Sequence, residues 1–160
     1  MARTSILDPN LLDCSKVLFT REQIYKILPQ QYEFSQLDGI IYFDLEAGTA
    51  AGYRDVREDE WWCRGHMPGH PIFPGVLMLE SAAQLAGFVQ QKMMPTDEGF
   101  LAFGGVDRTK FRGSVTPPAR VILLGKVVEA RARRFICEIQ AFSEGAMVFE
   151  GIITGLPIKP

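Results

Sequence analysis

The chain divides into segments that differ in the spacing of apolar and polar residues. These segments predict a short helix, two strands, one long helix and four more strands. The sequence Thr20-Arg-Glu-Gln23 has the form of a capping box and predicts a short helix that ends before Pro29. Segment 32–53 is β-rich and contains a Glu-Ala-Gly break at 46–48, which predicts a hairpin into a strand at 49–56. Apolar runs separated by turn residues predict the last four strands at 100–111, 121–130, 135–142 and 147–154.

The long helix is predicted over 75–92, with an end around Met93 or Met94 and Pro95 as the stop. Its segment 76–89 is almost entirely apolar, and Glu80 and Gln84 stand out within it. A helix without a polar face must be covered on several sides. Together with strands that read as largely antiparallel, this predicts an α+β fold in which a β-sheet of five to six strands wraps around a long central apolar helix. The apolar run is too short to cross a bilayer, so we expect no membrane span.

Length and composition indicate one domain over residues 1–160. Residues 1–19 look like an extended N-terminal arm, because they contain Pro9 and show no clear period. The net charge of −2 gives no support for nucleic acid as a partner. Positions 1–15 lack the apolar run of a signal peptide, and three widely spaced cysteines do not make a disulfide framework. We therefore expect a cytoplasmic protein.

Two ionisable residues stand out near the predicted start of the long helix: His66 in a loop and Glu80 in the helix. Prolines and glycines around His66 restrict the loop, so that its imidazole is held at low entropic cost. Glu80 lies one turn before Gln84 on the same helical face. The alternatives are a structural or exposed histidine and a solvent-facing stripe of the helix. The lack of a polar face before Gln90 favours a functional carboxylate.

Gly75 follows Pro74 and opens the predicted helix, where the backbone N–H groups of the first turn have no intrahelical acceptor. A glycine lets a ligand come close to these groups, and the helix dipole would polarise a carbonyl oxygen there. A base, an acid and a carbonyl polariser suit proton removal next to a carbonyl, with loss or gain of water. A metal site at Cys63, His66 and His70 is less favoured because it lacks a fourth ligand, so we expect no metal.

The segment from His66 to Gln84 resembles the signature of the 3-hydroxyacyl-[acyl-carrier-protein] dehydratases of the FabZ/FabA type. Their pattern is His-Phe-Pro-Gly-x-Pro-x-x-Pro-Gly, then four variable residues, an acidic residue, three variable residues and a glutamine. The chain has Met67 in place of the phenylalanine and matches the other fixed positions. Similarity to the family's Gly-Ile-Asp strand at 103–112 extends the resemblance over most of residues 22–155.

The resemblance implies a hotdog fold and a hydro-lyase that converts 3-hydroxyacyl thioesters on acyl carrier protein into trans-2-enoyl thioesters, in fatty-acid or related lipid biosynthesis. His66 would remove the proton from C2, and Glu80 would help the 3-hydroxyl group leave as water. The N–H groups of Gly75 and Ile72 would hold the thioester carbonyl, and Gln84 would support Glu80 by a hydrogen bond. The implied partner is acyl carrier protein bearing 3-hydroxyacyl-phosphopantetheine, and no cofactor is implied.

The resemblance further implies a homodimer with two active sites at the subunit interface, and a trimer of dimers as the larger assembly. In that family the histidine and the carboxylate come from different subunits, so His66 and Glu80 of one chain need not be close. The sequence departs from the family pattern at Met67 and in segments 28–33, 37–39 and 117–119, and these departures leave the acyl chain length and the pathway open. A paralogue that acts on a specialised lipid or a polyketide would show such departures.

Other interpretations use the same fold. A non-catalytic protein that binds acyl thioesters would need neither His66 nor Glu80, and a thioesterase would need a carboxylate placed to activate water at the carbonyl. Basic residues of segment 101–134 are a candidate patch for an acidic carrier protein or for the phosphate of phosphopantetheine. They are Arg108, Lys110, Arg112, Arg120, Lys126, Arg131, Arg133 and Arg134.

Overall fold

The computed structural model of the protein describes residues 4–96 and 99–159, most of which lie in an antiparallel sheet or on a long helix. The strands are β1 (Phe19–Thr20), β2 (Gly39–Asp44), β3 (Thr49–Val56), β4 (Phe100–Phe111), β5 (Ala119–Arg131), β6 (Arg134–Ser143) and β7 (Ala146–Ile158). Their order across the sheet is β1-β2-β3-β5-β6-β7-β4. The α-helices are the short α1 (Arg21–Ile24) and the 19-residue α2 (Gly75–Met93), and single 3₁₀ turns span Pro9–Leu11 and Tyr32–Phe34, the latter at the start of the segment predicted to be β-rich.

The predicted α+β architecture is confirmed, and the long helix and the hairpin lie where the pattern places them. The capping box is also formed, since Thr20 Oγ1 accepts from the Gln23 N–H while the Gln23 side chain accepts from the Thr20 N–H. The sheet has seven strands rather than five to six. The additional strand is β1, in which Phe19 pairs with Ile40, and two residues are too few to show an alternating pattern.

Helix α2 packs against five strands, β3 to β7, and this enclosure explains why it has almost no polar face. Leu85, Ala86 and Phe88 are fully buried. The Phe88 ring makes edge-on contacts with the rings of Phe19 and Phe43, at centroid distances of 5.1 and 6.1 Å. The main core therefore lies between the helix and the inner face of the sheet.

The N-terminal segment covers part of the outer face of the sheet. Side chains next to core positions along the strands point to that face and form a second apolar cluster, which includes Ile41, Ala51, Tyr53, Leu124 and Phe142. Ile6, Leu7 and Leu12 pack against this cluster. The Gln140 side chain accepts from the Ile6 N–H (2.9 Å) and donates to the Thr4 carbonyl (3.3 Å). Residues 1–3 of the predicted arm lie outside the described residues.

One side of the molecule is left uncovered by its own sheet. Among the described strands, β4 pairs with β7 alone, so its other edge carries backbone groups without a strand partner there. Phe103 and Phe111 on this strand are about half exposed, and Val76 on α2 is 72% exposed. The start of α2 lies on this side, since a Cβ on Gly75 would lie 3.0 Å from the Phe111 ring. Among the helices of the described ranges, none is both long and apolar enough to cross a membrane.

Candidate active site

His66 lies in a tight loop between Trp62 and the start of α2. The Trp62 carbonyl accepts from the N–H groups of Gly65 and His66, at 3.1 and 2.8 Å. Met67 has a φ of +61° and Gly69 a φ of +81°, so the chain turns sharply directly after the histidine. The N–H of His70 donates to the Met67 carbonyl at 2.8 Å and closes this turn. The backbone of the loop is therefore fixed on both sides of His66.

The His66 ring is oriented by a hydrogen bond to the loop itself. Its Nδ1 lies 2.7 Å from the Ile72 carbonyl oxygen. A carbonyl can only accept, so Nδ1 carries the proton in the neutral ring and Nε2 has a free lone pair. This is the tautomer that a general base needs. Ile72 thus contacts His66 through its carbonyl, a contact that the sequence does not predict.

Gly75 is the first residue of α2, and Pro74 caps the helix. The Pro74 carbonyl accepts from the N–H groups of Leu77 and Met78, at 2.9 and 3.1 Å, whereas a first-turn N–H such as that of Gly75 has no intrahelical acceptor. A Cβ on Gly75 would lie 3.0 Å from the Phe111 ring. The glycine therefore allows this ring to approach the helix start closely, next to an N–H group that has no acceptor within the helix.

Glu80 and Gln84 form a hydrogen-bonded pair on α2. Gln84 Nε2 donates to Glu80 Oε1 at 2.8 Å. Burial raises the pKa of the Glu80 carboxyl above its ordinary value, and the hydrogen bond from Gln84 opposes part of this rise. The carboxyl group therefore keeps its proton to a higher pH than an exposed glutamate, as a general acid requires.

Gln84 is itself held by residues that sequence analysis missed. Its Oε1 accepts from the Tyr25 hydroxyl at 2.6 Å and from the Gln36 N–H at 2.9 Å, while its Nε2 also donates to the Phe34 carbonyl at 2.6 Å. The amide is 1% exposed, and these bonds fix which end is oxygen and which is nitrogen. The side of the Gln84 amide that faces Glu80 is therefore always its NH₂ group, which donates to the carboxyl group. A tyrosine 59 residues away gives no sequence signal of this role.

A cavity of about 310 Å³ opens beside Glu80. Strands β4 and β7 line one side of it, and α2 lines the other with Glu80, Ala83, Gln84, Gly87 and Gln91. The stretch from the first to the last of these spans about 16 Å along the helix axis. The lining is mostly apolar, as is typical of a site for an aliphatic chain.

The structure brings the predicted site residues together in two groups rather than one. Glu80 and Gln84 line the cavity, whereas His66, Ile72 and Gly75 are not among the described residues that line it. The other chemical groups of the loop add no further site. Cys63 lies 3.4 Å from the Arg57 carbonyl, and the described residues contain no cluster of His, Cys, Asp and Glu arranged to hold a metal ion.

The eight basic residues of segment 101–134 do not form one patch, because β6 and β7 separate β5 from β4. Several of them pair with carboxylates: Arg112 with Glu150, Arg120 with Asp55, and both Arg131 and Arg134 with Glu129. One group, at the end of β4, lies beside the site. Lys110 and Arg112 flank Phe111, whose ring approaches Gly75 at the start of α2.

A sheet wrapped around a central helix, with a histidine loop leading into the helix and a carboxylate on it, defines a hotdog-fold protein of the thioester dehydratase type. The dehydratase heterocomplex ApeI:P from Xenorhabdus doucetiae has the same fold, with a TM-score of 0.69 at 14% identity over 85% of this chain and 91% of that chain. The chain belongs to the FabA-like family, since the family model of the FabA-like domain matches residues 28–152.

Other solved structures share this fold. AziG from S. sahachiroi matches with a TM-score of 0.58 at 17% identity, over 76% of this chain and 90% of that chain. A hypothetical thioesterase with coenzyme A from Streptococcus pneumoniae TIGR4 matches with a TM-score of 0.57 at 10% identity, over 75% of this chain and 84% of that chain. At such identities the similarity shows the fold alone.

Proposed function

We propose that the protein is a hydro-lyase that dehydrates 3-hydroxyacyl thioesters on acyl carrier protein to trans-2-enoyl thioesters, in fatty-acid or related lipid biosynthesis and without a cofactor. One observation carries the proposal. A histidine whose Nε2 is free, and a half-buried carboxyl group whose pKa is raised, stand at the motif positions where elimination needs its base and its acid.

The residues would act on the substrate in one elimination. His66 Nε2 takes the proton from C2, and the electron pair of that C–H bond forms the C2–C3 double bond. The C3–O bond breaks as Glu80 donates its proton to the leaving hydroxyl group, so that water is released. The N–H of Gly75 donates to the thioester oxygen and stabilises the negative charge that develops there. Gln84 keeps the Glu80 carboxyl turned towards the substrate.

The active unit in this proposal is a homodimer, in which His66 of one protomer faces Glu80 of the partner subunit. Two features support it: the described residues that line the cavity beside Glu80 include no histidine, and the edge of β4 and the exposed Val76 lie open on the same side. A trimer of dimers is the larger assembly that the family resemblance suggests. The acyl chain would occupy the cavity along α2.

The carrier protein would dock beside the start of α2. Lys110 lies there, two residues before the ion pair of Arg112 with Glu150, and its positive charge suits an acidic carrier and the phosphate of its phosphopantetheine arm. Lys110→Ala should raise KM for a carrier-borne substrate and leave KM for the same acyl group on pantetheine unchanged.

The proposed location is the cytoplasm, because Cys14, Cys63 and Cys137 are all free thiols.

The test of the activity is hydration of a 2-enoyl thioester, followed by loss of its conjugated absorbance. We expect wild type to be active, and His66→Ala and Glu80→Gln each to lower kcat at least about 10²-fold. His70→Ala, which removes an exposed histidine of the same loop, is the control and should keep full activity. Absence of hydration by wild type would refute the proposal. Release of free thiol instead would identify a thioesterase, and binding without turnover would identify a non-catalytic binder.

A further inference from the structure

Arg54, on β3, is among the most deeply buried side chains of the described residues, with 2% exposure. Its Nη2 donates to the Glu60 carboxylate, and its Nη1 donates to Asp38 Oδ2 at 3.3 Å and to the Asp55 carbonyl at 2.8 Å. Its Nε donates to Gln36 Oε1 at 3.2 Å. Burying a guanidinium is costly unless it is fully paired, so this position calls for an explanation beyond packing.

Glu60 connects Arg54 to the beginning of the histidine loop. Its Oε2 accepts from Trp62 Nε1 at 3.0 Å, and its Oε1 accepts from the Arg57 N–H at 2.9 Å. The Trp62 carbonyl in turn accepts from the His66 N–H. The Arg54–Glu60 ion pair therefore fixes the Trp62 indole, and the Trp62 carbonyl holds the backbone of His66.

Phe73 connects Arg54 to the end of the same loop. The Arg54 guanidinium lies over the Phe73 ring, 5.8 Å from its centroid, and this ring packs against Trp62 at 5.7 Å. The Phe73 N–H donates to the Val115 carbonyl at 2.7 Å, which anchors this end of the loop to the body of the protein. Ile72, whose carbonyl orients His66, directly precedes Phe73.

We propose that Arg54 is a positioning residue for the reaction: it clamps both ends of the loop and thereby sets the orientation and tautomer of His66. This inference rests on the proposed function. The hydrogen bond between His66 Nδ1 and the Ile72 carbonyl joins the part of the loop near Trp62 to the part next to Phe73. The length of this hydrogen bond depends on the positions of the two loop ends. Arg54 holds the first end through Glu60, which binds Trp62, and the second end through the Phe73 ring.

The same side chain also reaches the holder of the acid. Gln36, which accepts from Arg54 Nε, donates its backbone N–H to Gln84 Oε1, and Gln84 holds Glu80. One buried arginine is thus linked by hydrogen bonds to the supports of both proposed catalytic residues of a chain. A purely structural arginine would lower stability when replaced, without altering the tautomer of a folded protein.

The decisive experiment is nitrogen NMR of the ¹⁵N-labelled imidazoles at neutral pH. The chain contains two histidines, so His70→Gln assigns both ring signals. We expect wild-type His66 to show a protonated Nδ1 and a free Nε2. In Arg54→Lys and in Trp62→Phe, which removes the donor to Glu60 but keeps an aromatic ring, we expect signals averaged between the two tautomers. Unchanged His66 signals in both folded variants would overturn the inference.

Kinetics provide the second measurement. We expect kcat to fall by about 10²-fold in Arg54→Lys and less in Trp62→Phe, with KM changed by less than about twofold, because orientation rather than substrate binding is lost. Arg120→Lys is the matched control: this arginine, on the neighbouring strand β5, also pairs with a carboxylate, at 2.6 Å from Asp55, but its side chain is 40% exposed. The control should change neither kcat nor the His66 signals.

The two proposals fail in different ways. If wild type does not hydrate enoyl thioesters, the proposed function fails, while the NMR comparison still decides whether Arg54 sets the tautomer. If wild type is active but the His66 signals of the variants match those of wild type, the positioning role fails and the function stands. If Arg54→Lys does not fold, Trp62→Phe alone decides, with unchanged signals and unchanged kcat counting against the inference.

Discussion

Glu80 is the residue at which stability and chemistry make opposite demands. Its carboxyl group is half-buried, and burial favours the protonated form by raising its pKa. In the native state above that pKa, the group must be charged in a place that solvates charge poorly. The burial that suits a general acid therefore lowers the free energy of unfolding at a pH at which the carboxyl group is ionised, and this loss can be measured.

Glu80→Gln should remove that cost. The native state holds the Glu80 proton more tightly than the unfolded chain does. The contribution of this bound proton to wild-type stability is therefore lost as pH rises from about 4, because the group ionises first in the unfolded state. Glutamine cannot ionise and can still accept from Gln84. We expect the variant to gain free energy of unfolding relative to wild type between about pH 4 and neutrality, while activity falls. Urea denaturation at several pH values measures this.

Glu58→Gln, which removes an exposed carboxylate, is the control for the loss of one charge. Its stability difference from wild type should stay nearly constant over the same range. A difference for Glu80→Gln that is equally independent of pH would show that burial does not govern this carboxyl group.

At the scale of residues, the sequence predicts what lies in one contiguous motif and misses what is assembled from distant segments. His66, Glu80 and Gln84 stand in fixed spacing within 19 positions. Tyr25 and Arg54 are separated from that motif by other elements, and an arginine is expected at the surface unless its partners are known. No local pattern reports that Asp38 and Glu60 converge on Arg54.

Helix α2 both fills the core and lines the cavity, and Gly87 serves the second purpose at the expense of the first. A glycine inside a helix is less favourable than alanine by about 1 kcal/mol. A Cβ at this position would meet Leu28 Cδ2 at 3.4 Å, which is an ordinary contact, so steric exclusion does not explain the glycine. Because Gly87 has no side chain, it leaves room in the cavity that it lines.

Gly87→Ala should therefore raise the free energy of unfolding by up to about 1 kcal/mol and lower activity towards long acyl chains more than towards short ones. The measurements are chemical denaturation and kcat/KM for 2-enoyl thioesters of increasing length. Ala83→Gly, on the same wall of the cavity, is the reciprocal control and should lower stability while relaxing the length limit. An unchanged dependence on length in both variants would contradict the assignment of this cavity to the acyl chain.

At the scale of elements, hydrophobic alternation predicts the strands that have an inner and an outer face. The bounds of β3 and β4 agree with prediction to the residue. Strand β7 continues four residues beyond its predicted end, because Leu101 and Phe100 of β4 pair with it there. Such an extension depends on the neighbouring strand rather than on the side chains of β7, so periodicity cannot reveal it.

The whole molecule raises the question of where a complete active site exists. If His66 works with Glu80 of the partner subunit, a mixture of His66→Ala and Glu80→Gln chains should recover activity that neither variant has. A mixed dimer contains one site with both residues intact and one with both replaced. Random exchange of equal amounts should restore about a quarter of wild-type activity.

The mixing experiment needs each variant alone as its background, and a mixture in which exchange is blocked by covalent crosslinking before mixing. Recovery only after exchange supports a shared site. Failure to recover activity in dimers that demonstrably exchange would place His66 and Glu80 of one chain in the same site, or would exclude one of them from catalysis.

The N-terminal segment on the outer face has a consequence for the lifetime of the protein in the cell. Among its described residues, 4–15, the attachment includes a few apolar side chains and two hydrogen bonds to Gln140, so a protease could remove it while the helix and the sheet persist. The clipped protein would expose the patch that includes Ile41, Leu124 and Phe142. We expect a chain beginning at residue 16 to keep its activity in dilute solution, but to precipitate at concentrations at which the intact chain stays dispersed, as light scattering would show.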